Sequence, residues 1–169
     1  MSNALIEGLA AAGIDFVAAF PSSSMSETER QIESDRRFEC VFPSNEGEAV
    51  GICGGAWLGG KRPVLLMENS GLSLITYQLV RLNAAFDVPL LMVMDYRGDL
   101  GDGNWWAVPF GWTAIPLLES LRIPHAIAQR PQDLGDLIAR LVRTSLHSKY
   151  PAALLLRYGM DIEVNDASV

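Results

Sequence analysis

The feature that most constrains this chain is a recurrent pairing of a short, uniformly apolar run with a following stretch at helical spacing. The runs are Phe16–Phe20, Phe38–Phe42, Val64–Met67, Leu90–Met94, His125–Ala128 and Ala153–Leu156. They lack polar alternation, as strands do when a parallel sheet is covered by helices on both faces. Helical patterns fill the intervals at Asn3–Ala12, Ser26–Asp35, Glu46–Leu58, Leu72–Ala85, Ala114–Ser120 and Leu134–Ser148. In the last of these, Leu134, Leu137, Ile138, Leu141 and Val142 form one apolar stripe. Ser26 and Glu29 have the spacing of a capping box at the start of the second helix. The alternation predicts an α/β fold, a three-layer sandwich with a mostly parallel sheet of about six strands. A chain of 169 residues, nearly half of them apolar, is one ordinary domain with a real core. That domain is expected over residues 1–162, with 163–169 as a disordered tail.

Open sheets of this kind bind ligands beyond the carboxyl ends of their strands. Four segments that follow predicted strands are polar or glycine-rich: Pro21-Ser22-Ser23-Ser24, Pro43-Ser44-Asn45-Glu46, Glu68-Asn69-Ser70-Gly71 and Asp95-Tyr96-Arg97-Gly98. Their clustering at one end of the fold marks the expected site. The stretch from Tyr96 to Trp112 breaks the rhythm and holds three of the four tryptophans. A long loop in a small domain is usually functional.

Composition narrows the partners. A net charge of −7 argues against nucleic acid and against an anionic membrane surface. A few local arginines could still recognise an anionic ligand. Cys40 and Cys53 make no disulfide framework, and with His125 and His147 far apart a metal site on this chain is not expected. No apolar stretch reaches the ~18–20 residues of a membrane span, and no signal peptide is legible. A cytoplasmic protein is the default expectation.

Asn45 suits an N-cap, and acids in a first helical turn complement the helix dipole, so Glu46 and Glu48 have an ordinary explanation. The run Gly51, Gly54, Gly55, Ala56 is less ordinary. Each helical glycine costs about 1 kcal/mol of propensity, which predicts close packing against another element or subunit. Ser70 lacks the flanking glycines of a hydrolase nucleophile elbow, and no phosphate-cradling glycine loop marks a nucleotide binder.

A Glu opening a helix, then Ala49-Val50, a small-residue run to Gly55-Ala56-Trp57, Gly59-Gly60-Lys61-Arg62-Pro63, a strand and Asn69-Ser70-Gly71 together resemble the pyrimidine-binding domain of thiamine-diphosphate enzymes. The order is similar to that of sulfopyruvate and phosphonopyruvate decarboxylases. Arg97-Gly98, Trp106, Val108-Pro109, Gly111 and Thr113 resemble the α-subunit type. The likeness extends over about residues 3–160.

It implies a split enzyme, active only with a β subunit that carries diphosphate and Mg²⁺, in an α₂β₂ or larger assembly. The implied reaction is decarboxylation of a 2-oxo acid bearing a second anionic group. A carboligase subunit and a non-catalytic subunit are the alternatives. Glu46 would be the acid that hydrogen-bonds the pyrimidine nitrogen and activates the cofactor. Asn69, Ser70 and Gly71 would lie beside the pyrimidine ring. Related decarboxylases often have an acidic residue or cysteine after the first-strand proline; Ser22 stands there instead. Ser22 and Ser23 are substrate candidates, although a helix cap explains either equally. Arg97 offers a fork for an anionic head, or else pairs with Asp99. Gly101-Asp102-Gly103 resembles the opening of the family's magnesium motif. Here it sits in a loop, and the next asparagine after Asn104 is Asn165, so metal binding is not expected on this chain.

Overall fold

The computed structural model describes residues 1–160. The tail expected at 163–169, and the boundary at 162, lie outside the described residues. Six strands form one sheet: β1 (Phe16–Ala19), β2 (Glu39–Val41), β3 (Pro63–Glu68), β4 (Leu90–Tyr96), β5 (His125–Ala128) and β6 (Pro151–Arg157). Their order is β2-β1-β3-β4-β6-β5, and every pairing is parallel. The helices are α1 (Ser2–Ala11), α2 (Ser26–Ser34), α3 (Glu46–Leu58), α4 (Leu72–Gln78), α5 (Val108–Ser120) and α6 (Leu134–Ser148). The α/β sandwich expected from the apolar runs is therefore present.

Side chains alternate between two cores, because successive residues of a strand face opposite ways. Val17, Leu66, Leu91, Val93 and Leu154 meet α1, α2 and α6 on one side. Ala18, Leu65, Met67, Met92, Met94 and Leu155 meet α3, α4 and α5 on the other. Both faces of the central strands are buried, which is why these segments read as unbroken apolar runs. The chain reverses direction across the sheet between β1 and β3. Such a switch point opens a crevice at the carboxyl ends of the two strands.

Three local expectations are corrected. Ser26 and Glu29 form no capping box: Met25 occupies the N-cap position of α2 without a side-chain cap, and the Ser26 hydroxyl donates to the Ser23 carbonyl. Glu29 instead accepts a hydrogen bond from the Ser22 backbone N–H at 3.0 Å, tying the helix to the loop after β1. The fifth helix begins at Val108 rather than Ala114, with Pro109 in its first turn and Pro116 inside. Proline is welcome in a first turn, where its missing N–H has no partner to lose. The helix of Leu72–Ala85 loosens after Gln78 into a π-helical segment, Leu79–Ala84.

Gly98 and Gly111 set the geometry of the loop between β4 and α5. Gly98 has φ +74°, the left-handed region that glycine adopts freely. A Cβ on Gly111 would fall inside contact distance of the Gly98 carbonyl, and 2.9 Å from its Cα. Backbone thus lies on backbone at this crossing. Tyr96 Oη donates to the Gly111 carbonyl at 3.2 Å beside it. The crossing seats the start of α5 over the end of β4.

Candidate active site

Glu46 opens α3 directly after its N-cap. The Asn45 side chain accepts a hydrogen bond from the Glu48 backbone N–H at 2.9 Å, as expected of a cap. Glu48 turns back to Ser44, whose N–H and hydroxyl both donate to Glu48 Oε2 at 2.6 Å. These bonds lower its pKa. Glu48 is therefore spent on the cap. Glu46 is not: its side chain makes no hydrogen bond among the described residues, although the residue is only 9 % exposed.

What encloses Glu46 is the turn after β3. A Cβ on Gly71 would lie 2.5 Å from Glu46 Oε1, 2.6 Å from Cγ and 2.8 Å from Cδ. The backbone of Gly71 is ordinary right-handed helix (φ −68°), so a larger residue here would displace the Glu46 side chain rather than strain the backbone. The structure brings Glu46 and Gly71, which lie 25 positions apart in the chain, into direct contact. Asn69 is buried and acts as a clasp. Its amide nitrogen donates to the Arg97 carbonyl at 3.0 Å, and its oxygen accepts from the Arg97 N–H at 2.9 Å. Ser70 donates to Glu68 Oε1 at 2.7 Å.

The glycines of α3 divide by role. Gly54 lies against Leu82, and Gly47 against Gln78. A Cβ on Gly51 or Gly55 would meet nothing within 4 Å, so the close packing expected for those two is not made within this chain.

Arg97 is occupied. Its Nε donates to Asp102 Oδ2 at 2.8 Å and its Nη2 to Oδ1 at 3.3 Å. Glu68 lies 3.7 Å away, and the Trp106 ring faces the guanidinium with its centroid at 4.9 Å. The partner is Asp102, not Asp99; Asp99 pairs with Arg157 at 3.2 Å. Asp102 also accepts from the Gly98 N–H at 2.9 Å and from Asn104. Arg97 above all, then Gly98 and Asn104, hold its carboxyl well below the usual carboxylate range against the opposing effect of burial. Gly101–Asn104 is thus a loop folded around an arginine. Among the described residues no group of three or more His, Cys, Asp or Glu could hold a metal ion.

Ser22 and Ser24 converge on Asp95, at the end of β4. Ser22 Oγ lies 3.1 Å from Asp95 Oδ2, the Ser24 hydroxyl donates to the same oxygen, and the two hydroxyls are 2.9 Å apart. Ser23 is exposed and offers only its carbonyl, to Ser26. Asp95 is buried, and its pKa is raised chiefly by that burial and further by Glu68. Ser24 and Ser22 oppose the rise, with Arg97 adding a smaller effect. Asp95 escaped sequence reasoning because an acid that ends an apolar strand looks like the first residue of a loop. Trp105 and Trp112, in and just after this loop, stand exposed.

The geometry is that of an open parallel α/β domain with a buried carboxylate, without a hydrogen bond among the described residues, set against the glycine turn after β3. The 4-hydroxybenzoylformate decarboxylase of Rhodococcus jostii, a thiamine-diphosphate-dependent enzyme, has the same fold over 94 % of this chain and 30 % of its own, with a TM-score of 0.73 and 19 % identity. No model of a known protein family matches the chain. The sulfopyruvate decarboxylase α subunit of Methanococcus maripaludis is 30 % identical over 155 residues, 92 % of this chain and 93 % of that one. That of Methanocaldococcus jannaschii is 31 % identical over 154 residues, 91 % of each. The chain belongs to the family of sulfopyruvate decarboxylase α subunits, and so is a subunit of a thiamine-diphosphate-dependent decarboxylase.

Proposed function

We propose that this chain supplies the pyrimidine-binding half of an active site completed by a β subunit, and that the assembled enzyme decarboxylates a 2-oxo acid. The observation that carries this is Glu46: a nine-tenths buried carboxyl group, without a hydrogen bond among the described residues, seated against Gly71. A buried acid left without a partner is costly, and a ring nitrogen of the pyrimidine is the partner that suits it. Gly71, having no side chain, lets the Glu46 carboxyl lie directly against the backbone of the turn. The pyrimidine therefore fits the residues present. Glu46 orients the ring and exchanges a proton at that nitrogen. Asn69 keeps the turn in register with β4, and Ser70, tied to Glu68, bounds it. When bound, thiamine diphosphate supplies the carbanion that attacks the ketone of the substrate.

Diphosphate and Mg²⁺ are assigned to the β subunit, since Asp102 is fully engaged by Arg97, Gly98 and Asn104. An outward apolar face supports such a partner. Helices α3, α4 and α5 lie on one side of the sheet; Leu74, Tyr77 and Trp112 on them are each more than half exposed, and nothing in this chain lies within 4 Å of a Cβ on Gly51 or Gly55 of α3. Apolar surface of this kind marks contact sites. Relatives act on sulfopyruvate and, in Streptomyces hygroscopicus, on phosphonopyruvate, so a 2-oxo acid with a second anionic group is the first substrate to try. Ser22, Ser23 and Arg97 border the strand ends where it would lie. Because Arg97 is bound to Asp102, it shapes the loop rather than presenting a free fork. An α₂β₂ assembly is the smallest that pairs two such interfaces.

The mixture of this chain with its β subunit, thiamine diphosphate and Mg²⁺ is expected to release CO₂ from sulfopyruvate, and neither chain alone to do so. CO₂ released by this chain without the partner would refute the split site.

A further inference from the structure

Charge is spread unevenly over the two sides of the sheet. On one side, α2 carries Glu27, Glu29, Arg30 and Glu33, and α6 carries Asp136, Arg140 and Arg143. On the other, the runs 49–60, 69–80 and 103–118 hold most of α3, all of α4 and most of α5, and contain no Asp, Glu, Lys, Arg or His. Solvated helix faces carry charge, whereas the cores of interfaces are depleted of it.

The uncharged side has a groove of about 590 Å³ between the first turn of α4 and α5, with Pro109, Trp112, Pro116 and Leu117 in its walls. Three hydroxyls also line it, and each is spent on its own backbone. Thr113 donates towards the Pro109 and Phe110 carbonyls at 3.1 and 3.2 Å, Ser120 to the Leu117 carbonyl at 2.8 Å, and Ser73 to the Ser70 carbonyl at 3.3 Å. What the groove offers is therefore apolar surface, and Trp112 stands 72 % exposed in it.

The groove continues from the candidate site. Gly71, against which Glu46 lies, is the N-cap of α4. Ser73 of the groove wall is two residues further on, about 3 Å of helix rise. A subunit that completes the site at Glu46 is thereby brought to the mouth of the groove.

We propose that this groove anchors the β subunit, which packs an aliphatic or aromatic side chain from an uncharged surface of its own against Trp112. The inference rests on the split-site reading above and adds the surface by which the partner is held. Aromatic residues in such pockets carry a large share of the binding energy of an interface.

The test uses this chain, its β subunit, thiamine diphosphate and Mg²⁺. The subunit Kd is read from CO₂ release from sulfopyruvate as β is titrated, and from sedimentation of the mixture. Trp112→Ala is expected to raise Kd at least about tenfold. At saturating β its kcat should be unchanged, since the groove lies outside the contact of Glu46 with Gly71. Thr113→Lys sets a charge in the groove and is expected to do at least as much; it is read in the same way should Trp112→Ala fail to fold. Leu58→Ser, at the far end of α3 and 77 % exposed, is expected to leave Kd where it was. An equal rise with Leu58→Ser would spread the contact over the whole side and overturn the anchor. Wild-type Kd in both groove variants overturns the inference and leaves the split site standing. Lost self-association of this chain, with Kd for β unchanged, would assign the groove to a second copy and also overturn it. A wild-type mixture that neither associates nor releases CO₂ overturns the split-site reading, and this inference with it.

Discussion

Glu46→Gln in the assembled enzyme is expected to lower kcat by about three orders of magnitude, within the range of a lost general acid–base group. Glutamine keeps the length and volume of the side chain, so the contact with Gly71 and the cap at Asn45 persist. What disappears is the carboxyl group that can exchange a proton with the pyrimidine. The loss should therefore appear in kcat, with thermal stability and subunit assembly unchanged. A variant complex with wild-type kcat would remove Glu46 from the chemistry and return it to an ordinary helix-start acid. Wild-type folding with a modest loss confined to cofactor affinity would contradict the proton-exchange role while leaving the binding role.

The largest expected effect on stability lies away from Glu46, at the backbone crossing of Gly98 and Gly111. A Cβ on Gly111 meets the Gly98 carbonyl and Cα, atoms that cannot rotate aside. Overpacking of this kind costs on the order of 3 kcal/mol. For a domain of this size that lowers Tm by roughly 6–12 °C. Gly111→Ala, followed by thermal denaturation, should show the fall. Gly103→Ala, in the same loop with nothing within 4 Å of its Cβ, should not. Equal Tm values for the two variants would mean that the loop closes by some route other than this crossing. The loop between the two glycines also carries Trp106, whose ring faces Arg97.

Much of this was legible in the amino-acid order. The unbroken apolar runs named the six strands because both sides of the sheet are covered. The polar segments after them do lie together, at the carboxyl ends of the parallel strands. The contact of Glu46 with Gly71 was not read from the sequence, where the resemblance implied only that both motifs lie near one pyrimidine ring. What could not be read was which polar groups satisfy one another. Arg97 has acids two and five positions ahead of it, and only the fold of the loop selects Asp102. Asp95 bonds serines 71 and 73 positions earlier, a pairing set by the neighbouring placement of β1, β3 and β4. Glu29 had the spacing of a capping partner but reaches the Ser22 N–H instead, because the chain enters α2 at Met25. The start of α5 was hidden by prolines, which mark both helix starts and helix breaks.

The most direct measurement is a calorimetric titration of thiamine diphosphate with Mg²⁺ into this chain, alone and after mixing with its β subunit. Heat of binding in the mixture, and none for either chain alone, is the expected result. Tight binding to the isolated chain would contradict the split site: a complete cofactor site would then exist on these 169 residues, and Gly101–Asn104 would have to part from Arg97 to take the metal.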